Sequence, residues 1–496
     1  MKSTIKIIAL STLFFLIGPT PSMAVIDAEV LLEQGMESFQ SENFGSSELV
    51  FRKIIDLDLD DNTLLDKARF YFCRALLAQK KYKAALFELN NFYNKCRTIE
   101  LCVESRFWMA ETYYHLKDYL NSIEEYKRYI TLAKEGDLIS TAYDRIGTIY
   151  YLLKRYDEAI IEWEKSISKS KDKNDNRERY YLVSQAYFSN KKYKEALANL
   201  DLLSTPKNSL LTAKSLLLKG RIAQINGEHK KALSFFNKID KKWHQNKYIA
   251  DYLYFKALSL LNLKQKKTSQ KILQNFIDSS KNSSWLPAAN YQLAKIYLEE
   301  NQQKKAISLL EKISHHHYDQ IESTYIVESN LLLAKIYFKN QPAKALTYLE
   351  GLTKFSQHQD YKEIIILLVE THLKLNNFVK ANKNISSFVE KYPYYKNLDE
   401  ITFLKAKIFL QQGEIEEASK LFEKIKRENP FSKCLKEINY NLAIISYHKK
   451  EYQKVIIKLN SYLKNKNIKS RDEAEILLLK SYLQLDRLFL LEKKLK

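Results

Sequence analysis

The sequence predicts an all-α chain folded as a solenoid of about 12–13 helix-turn-helix repeats, and three observations carry that prediction. Small residues return at fixed places, mostly 36 to 38 residues apart. Only 9 Gly and 7 Pro occur in 496 residues, which disfavours an all-β fold and long linkers and suits continuous helix pairs. Those breakers also fall in phase: Gly227 and Gly413 share one turn position, where a positive φ suits Gly, and Pro393 and Pro430 both follow a second helix.

The clearest repeat lies within residues 104–130. Phe107, Met109, Ala110, Tyr113 and Tyr114 recur at helical spacing, as do Ile123, Tyr126 and Tyr129 after a break at Leu116-Lys117-Asp118. With position 1 at Val103, repeats start near 28, 66, 103, 140, 177, 213, 250, 287, 327, 362, 399, 436 and 473. Position 8 then reads Gly35, Cys73, Ala110, Gly147, Ser184, Gly220, Ala257, Ala294, Ala334, Val369, Ala406 and Ala443, and Val369 alone is not small. Position 20 is Ser, Ala or Val, as at Ser47, Ser122, Ala159 and Val455, with Ala345 displaced by one residue in the ninth repeat. Small side chains at both places let paired helices cross closely. This pattern resembles the tetratricopeptide repeat, about 34 residues long, with a small residue at 8, an aromatic at 11, Ala at 20 and an aromatic at 24. The resemblance implies TPR-like repeats stacked into a right-handed superhelix.

In chain order, residues 1–24 come first. Lys2 and Lys6, an apolar run from Ile7 to Ile17 and small residues before a cut after Ala24 predict a secretory signal peptide, too short in its apolar part to span a bilayer. No Cys follows as a lipoprotein signal would require, and no later segment is apolar enough to cross a membrane. The solenoid occupies 25–472. Its first repeat is the poorest match, with Ser38 at position 11, as terminal repeats often are. The stretch from Ser168 to Asn176 is the most polar connector and reads as a mobile loop. His315, His316 and His317 cannot share one helix face and read as a solvated loop rather than a metal site. Residues 473–496 form a C-terminal capping segment rich in Leu.

Charge is strongly positive, +21, falling to +19 without the signal, which carries two Lys and no acid. The excess is nearly all Lys spread over every repeat, and no Arg occurs between Arg221 and Arg427, so the favoured residue for phosphate and base contacts is missing there. Nucleic acid is therefore not an expected partner; a solvated Lys surface, or one drawn to anionic polymers or acidic proteins, is. Of four Cys, Cys73 fills a small-residue slot and Cys434 stands alone, whereas Cys96 and Cys102 flank one inter-repeat connection and could bridge it. No nucleophile elbow, phosphate-binding glycine loop, zinc-protease helix, paired CxxC or dinucleotide fingerprint occurs. Glu111 and Glu370 lie on helix faces without a partner in sequence. No enzyme activity and no cofactor or metal are expected.

The resemblance implies a concave face lined by first helices that holds peptide or protein partners. In the family, positions 2, 5, 9 and 12 face that groove. Here position 5 gives Phe107, Tyr181, Tyr254 and Tyr291, position 12 gives Tyr114, Tyr151, Phe188 and Phe338, and position 9 gives Arg221, Lys295, Lys335 and Lys407. The family's carboxylate clamp uses Lys at 5 and Asn at 9, a pair no repeat has here. The aromatic and cationic series implies an extended peptide with aromatic or acidic side chains, or sugar rings; the same rings could instead pack between helices. The 107–114 run also resembles repeats of bacterial envelope proteins that assist outer-membrane protein insertion or coordinate division. The expected function is thus a periplasmic or envelope scaffold for protein partners, with a binder of polysaccharide or peptidoglycan strands as the alternative.

Overall fold

The computed structural model describes residues 23–57, 61–133, 135–171, 173–203, 209–243, 246, 249–314, 322–392, 399–464 and 470–485. Most of the segment expected to be an export signal, the three-His run, Pro393 and the end of the C-terminal segment lie outside these residues. Among the described residues all regular structure is helical: 25 α-helices, one short 3-10 helix at Lys241–Trp243, and no strand.

The chain divides into two compact units, 1–243 and 244–496. The N-terminal unit holds α1 (Met23–Gln40), α2 (Phe44–Ile55), α3 (Asn62–Ala78), α4 (Tyr82–Lys95), α5 (Ile99–His115) and α6 (Tyr119–Ala133). It continues through α7 (Asp137–Leu152), α8 (Tyr156–Lys169), α9 (Lys173–Ser189), α10 (Tyr193–Asp201), α11 (Leu210–Ile225) and α12 (His229–Phe236). The C-terminal unit holds α13 (Tyr252–Asn262), α14 (Lys266–Ser279), α15 (Leu286–Glu299), α16 (Gln303–Ser314), α17 (Glu322–Phe338), α18 (Pro342–Glu350) and α19 (Tyr361–Lys374). It ends with α20 (Phe378–Lys391), α21 (Asp399–Gln411), α22 (Ile415–Glu428), α23 (Leu435–His448), α24 (Tyr452–Leu463) and α25 (Arg471–Gln484). Every repeat start falls on or just before an odd-numbered helix. Within each unit consecutive helices pack against one another, and several first helices also touch the next first helix, as α1, α3 and α5 do.

The small residues work as expected. A Cβ added to Gly147 at position 8 would lie 2.8 Å from the Trp163 ring at position 24, so the aromatic seats directly on the backbone of the partner helix. Where position 20 is Ser, its hydroxyl donates across the pair to the carbonyl of position 8: Ser47 to Gly35 at 3.1 Å, Ser122 to Ala110 at 2.8 Å and Ser269 to Ala257 at 2.8 Å. A buried hydroxyl is thereby satisfied without widening the crossing.

The turns carry a regularity that glycine alone did not reveal. Eleven repeats place position 15 at positive φ; besides Gly227 and Gly413, nine are non-glycine residues, among them Lys80, Lys117, Lys154 and Lys191, at φ between 57° and 63°. In the third repeat Lys117 N–H donates to the Tyr114 carbonyl and Asp118 N–H to that of Tyr113, both at 3.0 Å. This paired bond closes the first helix and starts the second. The ninth repeat differs: Pro342 opens α18, Gln341 before it lies at φ −138° instead of a positive value, and the second helix begins one residue early, which accounts for the displaced Ala345.

Two further expectations are revised. The polar stretch 168–176 is largely helical, split between the end of α8 and the start of α9, and Asn176 donates to the Ile167 carbonyl at 3.5 Å. Polar side chains suit a helix start exposed to water. Glu111, unpartnered in sequence, is bonded to Arg145 and Tyr126 in space. Cys96 and Cys102 are joined, with Cα atoms 5.9 Å apart, and the buried Asp66 carboxylate accepts from the Arg97 and Thr98 N–H groups at 2.8 Å. The α4–α5 connection is thus tied twice.

Candidate functional site

The candidate site in each unit is the row of first helices, because these carry the position 5, 9 and 12 side chains. In the N-terminal unit Phe107 is only 3% exposed and meets Trp108, Tyr126 and Tyr129 edge-on, so it packs within its own helix pair. Tyr114 is half-buried beside His115, with the Arg145 guanidinium 5.7 Å from its ring. Tyr151, Tyr181, Phe188 and Arg221 come together across three repeats. Arg221 lies 4.8 Å from the Phe188 ring centre, the Tyr151 hydroxyl is 3.3 Å from Ser189 Oγ, and burial, reinforced by Tyr151, raises the Tyr181 phenol well above its usual range.

In the C-terminal unit Tyr254 is 2% exposed and stacks on Trp285 at 5.3 Å, again a packing role. Tyr291 is half-buried, 5.9 Å from Tyr325 and 5.7 Å from Lys295 Nζ. Burial, with help from Glu328, pushes its phenol up to about 12. Glu328 is itself raised above the ordinary carboxyl range, first by burial and then by Asp360. Lys335 is exposed but pairs with Glu363 at 2.9 Å, so the cation is already balanced. Phe338 lies under Lys374 Nζ at 4.2 Å. Lys407 sits 5.8 Å from Phe403 and lines a cavity of about 350 Å³ with Glu370, Glu400, Glu437 and Tyr440.

Sequence reasoning missed the partners that one repeat supplies to the next. Glu111 is 6% exposed, accepts from Arg145 Nε at 2.7 Å and from the Tyr126 hydroxyl at 2.5 Å, and joins α5, α6 and α7. Arg106 bonds Glu125 at 2.8 Å while lying 3.7 Å over the Tyr93 ring. A signal was present: Arg74 to Trp108 and Glu111 to Arg145 are both position 9 against position 6 of the following repeat. Chemically, these rows offer apolar rings, paired charges and phenols held protonated at neutral pH. That inventory suits recognition, and among the described residues no cluster of His, Cys, Asp and Glu that could hold a metal occurs.

Comparison with known proteins agrees with the repeat phase. The tetratricopeptide repeat profile matches residues 103–135, 140–170 and 287–313, starting at three of the positions assigned as repeat starts. A search of curated proteins finds no match. Similar solved structures include the apo quorum sensor NprR from B. thuringiensis, at 14% identity over 74% of this chain and 98% of that one, TM-score 0.41. Another is the C-terminal part of a TPR repeat-containing protein from Cytophaga hutchinsonii, at 15% identity over 52% and 98%, TM-score 0.43. PilF of Pseudomonas aeruginosa is similar at 15% over 49% and 99%, TM-score 0.35.

Proposed function

Since this chain is a tetratricopeptide-repeat protein, we propose that it is a non-catalytic scaffold that holds a protein or peptide partner along its first-helix rows. Such arrays are typically protein-interaction scaffolds. The observation that carries the reading is the convergence of Tyr151, Tyr181, Phe188 and Arg221 from three successive repeats, since rings interleaved with a guanidinium suit an extended peptide. We further propose that the protein is exported and acts in the bacterial periplasm or envelope, in assembly or division. The charged and apolar pattern of residues 1–24 supports export, and the Cys96–Cys102 bridge suits an oxidising compartment. Among the described residues no helix is long and apolar enough to cross a membrane. Binding of polysaccharide or peptidoglycan, including anionic glycan, is the alternative, favoured by the half-buried Tyr faces.

The test replaces Tyr151, Arg221, Tyr291 and Lys295 together by Ser or Gln, leaving the packing residues Phe107 and Tyr254 intact. Capture of protein partners from envelope extract should be lost while far-UV circular dichroism stays helical. Unchanged capture would move binding to the second helices or the loops, and retention of glycan in place of protein would favour the alternative.

A further inference from the structure

In the N-terminal unit the C-terminal ends of α1, α3 and α5 and the turns after them line a cavity of about 620 Å³. Phe39, Phe44, Tyr82, Trp108 and His115 supply rings to its wall, and Arg74 supplies a cation. The Arg74 guanidinium lies 4.3 Å from the Trp108 ring centre, 5.2 Å from Phe39 and 5.3 Å from Tyr71. Its Nε is shut off from water and has no hydrogen-bond acceptor, and burial depresses its basicity.

What sets Arg74 apart is its missing counter-ion. On the neighbouring first helices Arg106 pairs with Glu125 at 2.8 Å, Arg145 with Glu111 at 2.7 Å and Arg179 with Asp144 at 3.7 Å. Among the described residues no carboxylate reaches Arg74 within 4.0 Å; Glu104 attracts it from farther off and is held by the Trp108 indole N–H at 3.0 Å. Glu111 is already engaged by Arg145 and Tyr126, and Glu42 and Lys80 at the rim carry opposite charges. A guanidinium packed among rings loses hydration, and the Tyr71 hydroxyl returns one hydrogen bond but no charge; a bound carboxylate would supply that charge through two parallel N–H bonds.

We propose that this cavity takes an acidic side chain of an extended partner peptide, with an adjacent aromatic residue filling the space against Phe39, Tyr82 and Trp108. The inference rests on the scaffold reading and adds its specificity. The cavity is far larger than a simple anion, and its five rings with Leu77 and Ala78 leave apolar wall, so the ligand brings apolar bulk with its charge. A polyanionic backbone fits poorly, because Glu42 and Glu111 line the cavity and Glu104 lies near Arg74.

The experiment uses the full chain and fluorescein-labelled acetyl-Gly-Phe-Glu-Phe-Gly-amide, with its Gln counterpart, in an anisotropy titration. The Glu peptide should bind about tenfold or more tighter than the Gln peptide. Arg74→Gln should bring the two within about twofold by removing the charged pair. Arg74→Lys, which keeps the charge and loses the fork, should retain part of the preference, and serves if Arg74→Gln loses helicity. Equal binding of both peptides to the wild-type chain overturns the inference and leaves the groove reading to the capture experiment. A preference that survives in Arg74→Gln also overturns it. So does polygalacturonate displacing the Glu peptide at lower carboxylate concentration than the unlabelled peptide, which would assign the cavity to an acidic glycan. Absence of any peptide binding removes the cavity as a peptide site.

Discussion

Gly147 and Gly45 are both helical glycines, yet opposite outcomes are expected when each becomes Ala. At Gly147 the new methyl would meet Trp163 at 2.8 Å, so Gly147→Ala should destabilise by about 1–3 kcal/mol despite better helix propensity. Nothing lies within 4 Å of the corresponding position at Gly45, and Gly45→Ala should stabilise by about 0.4–1 kcal/mol. Thermal and urea melts of the two variants read the difference. Glu328 offers a test in pH. A carboxyl whose folded pKa lies above its unfolded one contributes most stability below the unfolded value, and loses that contribution as pH rises through the folded value. Glu328→Gln should therefore raise stability at about pH 7.5 and give no such gain at about pH 4. The small-residue slots were legible because volume alone decides them. The Glu328 environment was not, since Asp360 approaches it from a connector that carries no repeat pattern.

At the scale of the element, the first-helix turn is the informative feature. A non-glycine residue in the left-handed region is strained, so Lys154→Gly should stabilise by up to about 1 kcal/mol, while Gly227→Ala should cost a similar amount. The sequence shows this position only at Gly227 and Gly413; Lys, Asn and Glu occupy it elsewhere because the helix-closing bonds compel the conformation. The α4–α5 connection gives a second test. Replacing Cys96 and Cys102 by Ser removes a short-loop cross-link worth about 2 kcal/mol in chain-entropy terms. Because Asp66 still holds Arg97 and Thr98, the local fold should persist, and adding Asp66→Asn should cost more than the two changes do separately. Chemical denaturation of the single and combined variants checks this.

For the whole molecule, each helix pair rests on its neighbours within its unit, so stability should behave as a chain of local couplings rather than one global transition. Gly147→Ala is accordingly expected to speed amide hydrogen exchange in α7, α8 and the pairs beside them, leaving α21 to α24 unchanged. Mass-spectrometric exchange distinguishes this from uniform loss of protection. The architecture was legible at this scale because a period repeated along nearly the whole chain outweighs any weak repeat. The groove was legible only as a set of facing positions. Whether a ring such as Phe107 or Tyr254 meets a ligand or its own helix pair depends on the next repeat, and so do the pairings of Lys335 with Glu363 and Glu111 with Arg145. The turns have a wider consequence. The first helix is closed there by main-chain N–H and carbonyl groups, while the Asp118 carboxylate adds a side-chain acceptor for the Asn121 N–H groups at the start of the second. A bend closed largely by the backbone accepts Gly, Lys, Asn or Glu at its left-handed position, so eleven turns keep one geometry although a family profile matches only three stretches of the chain.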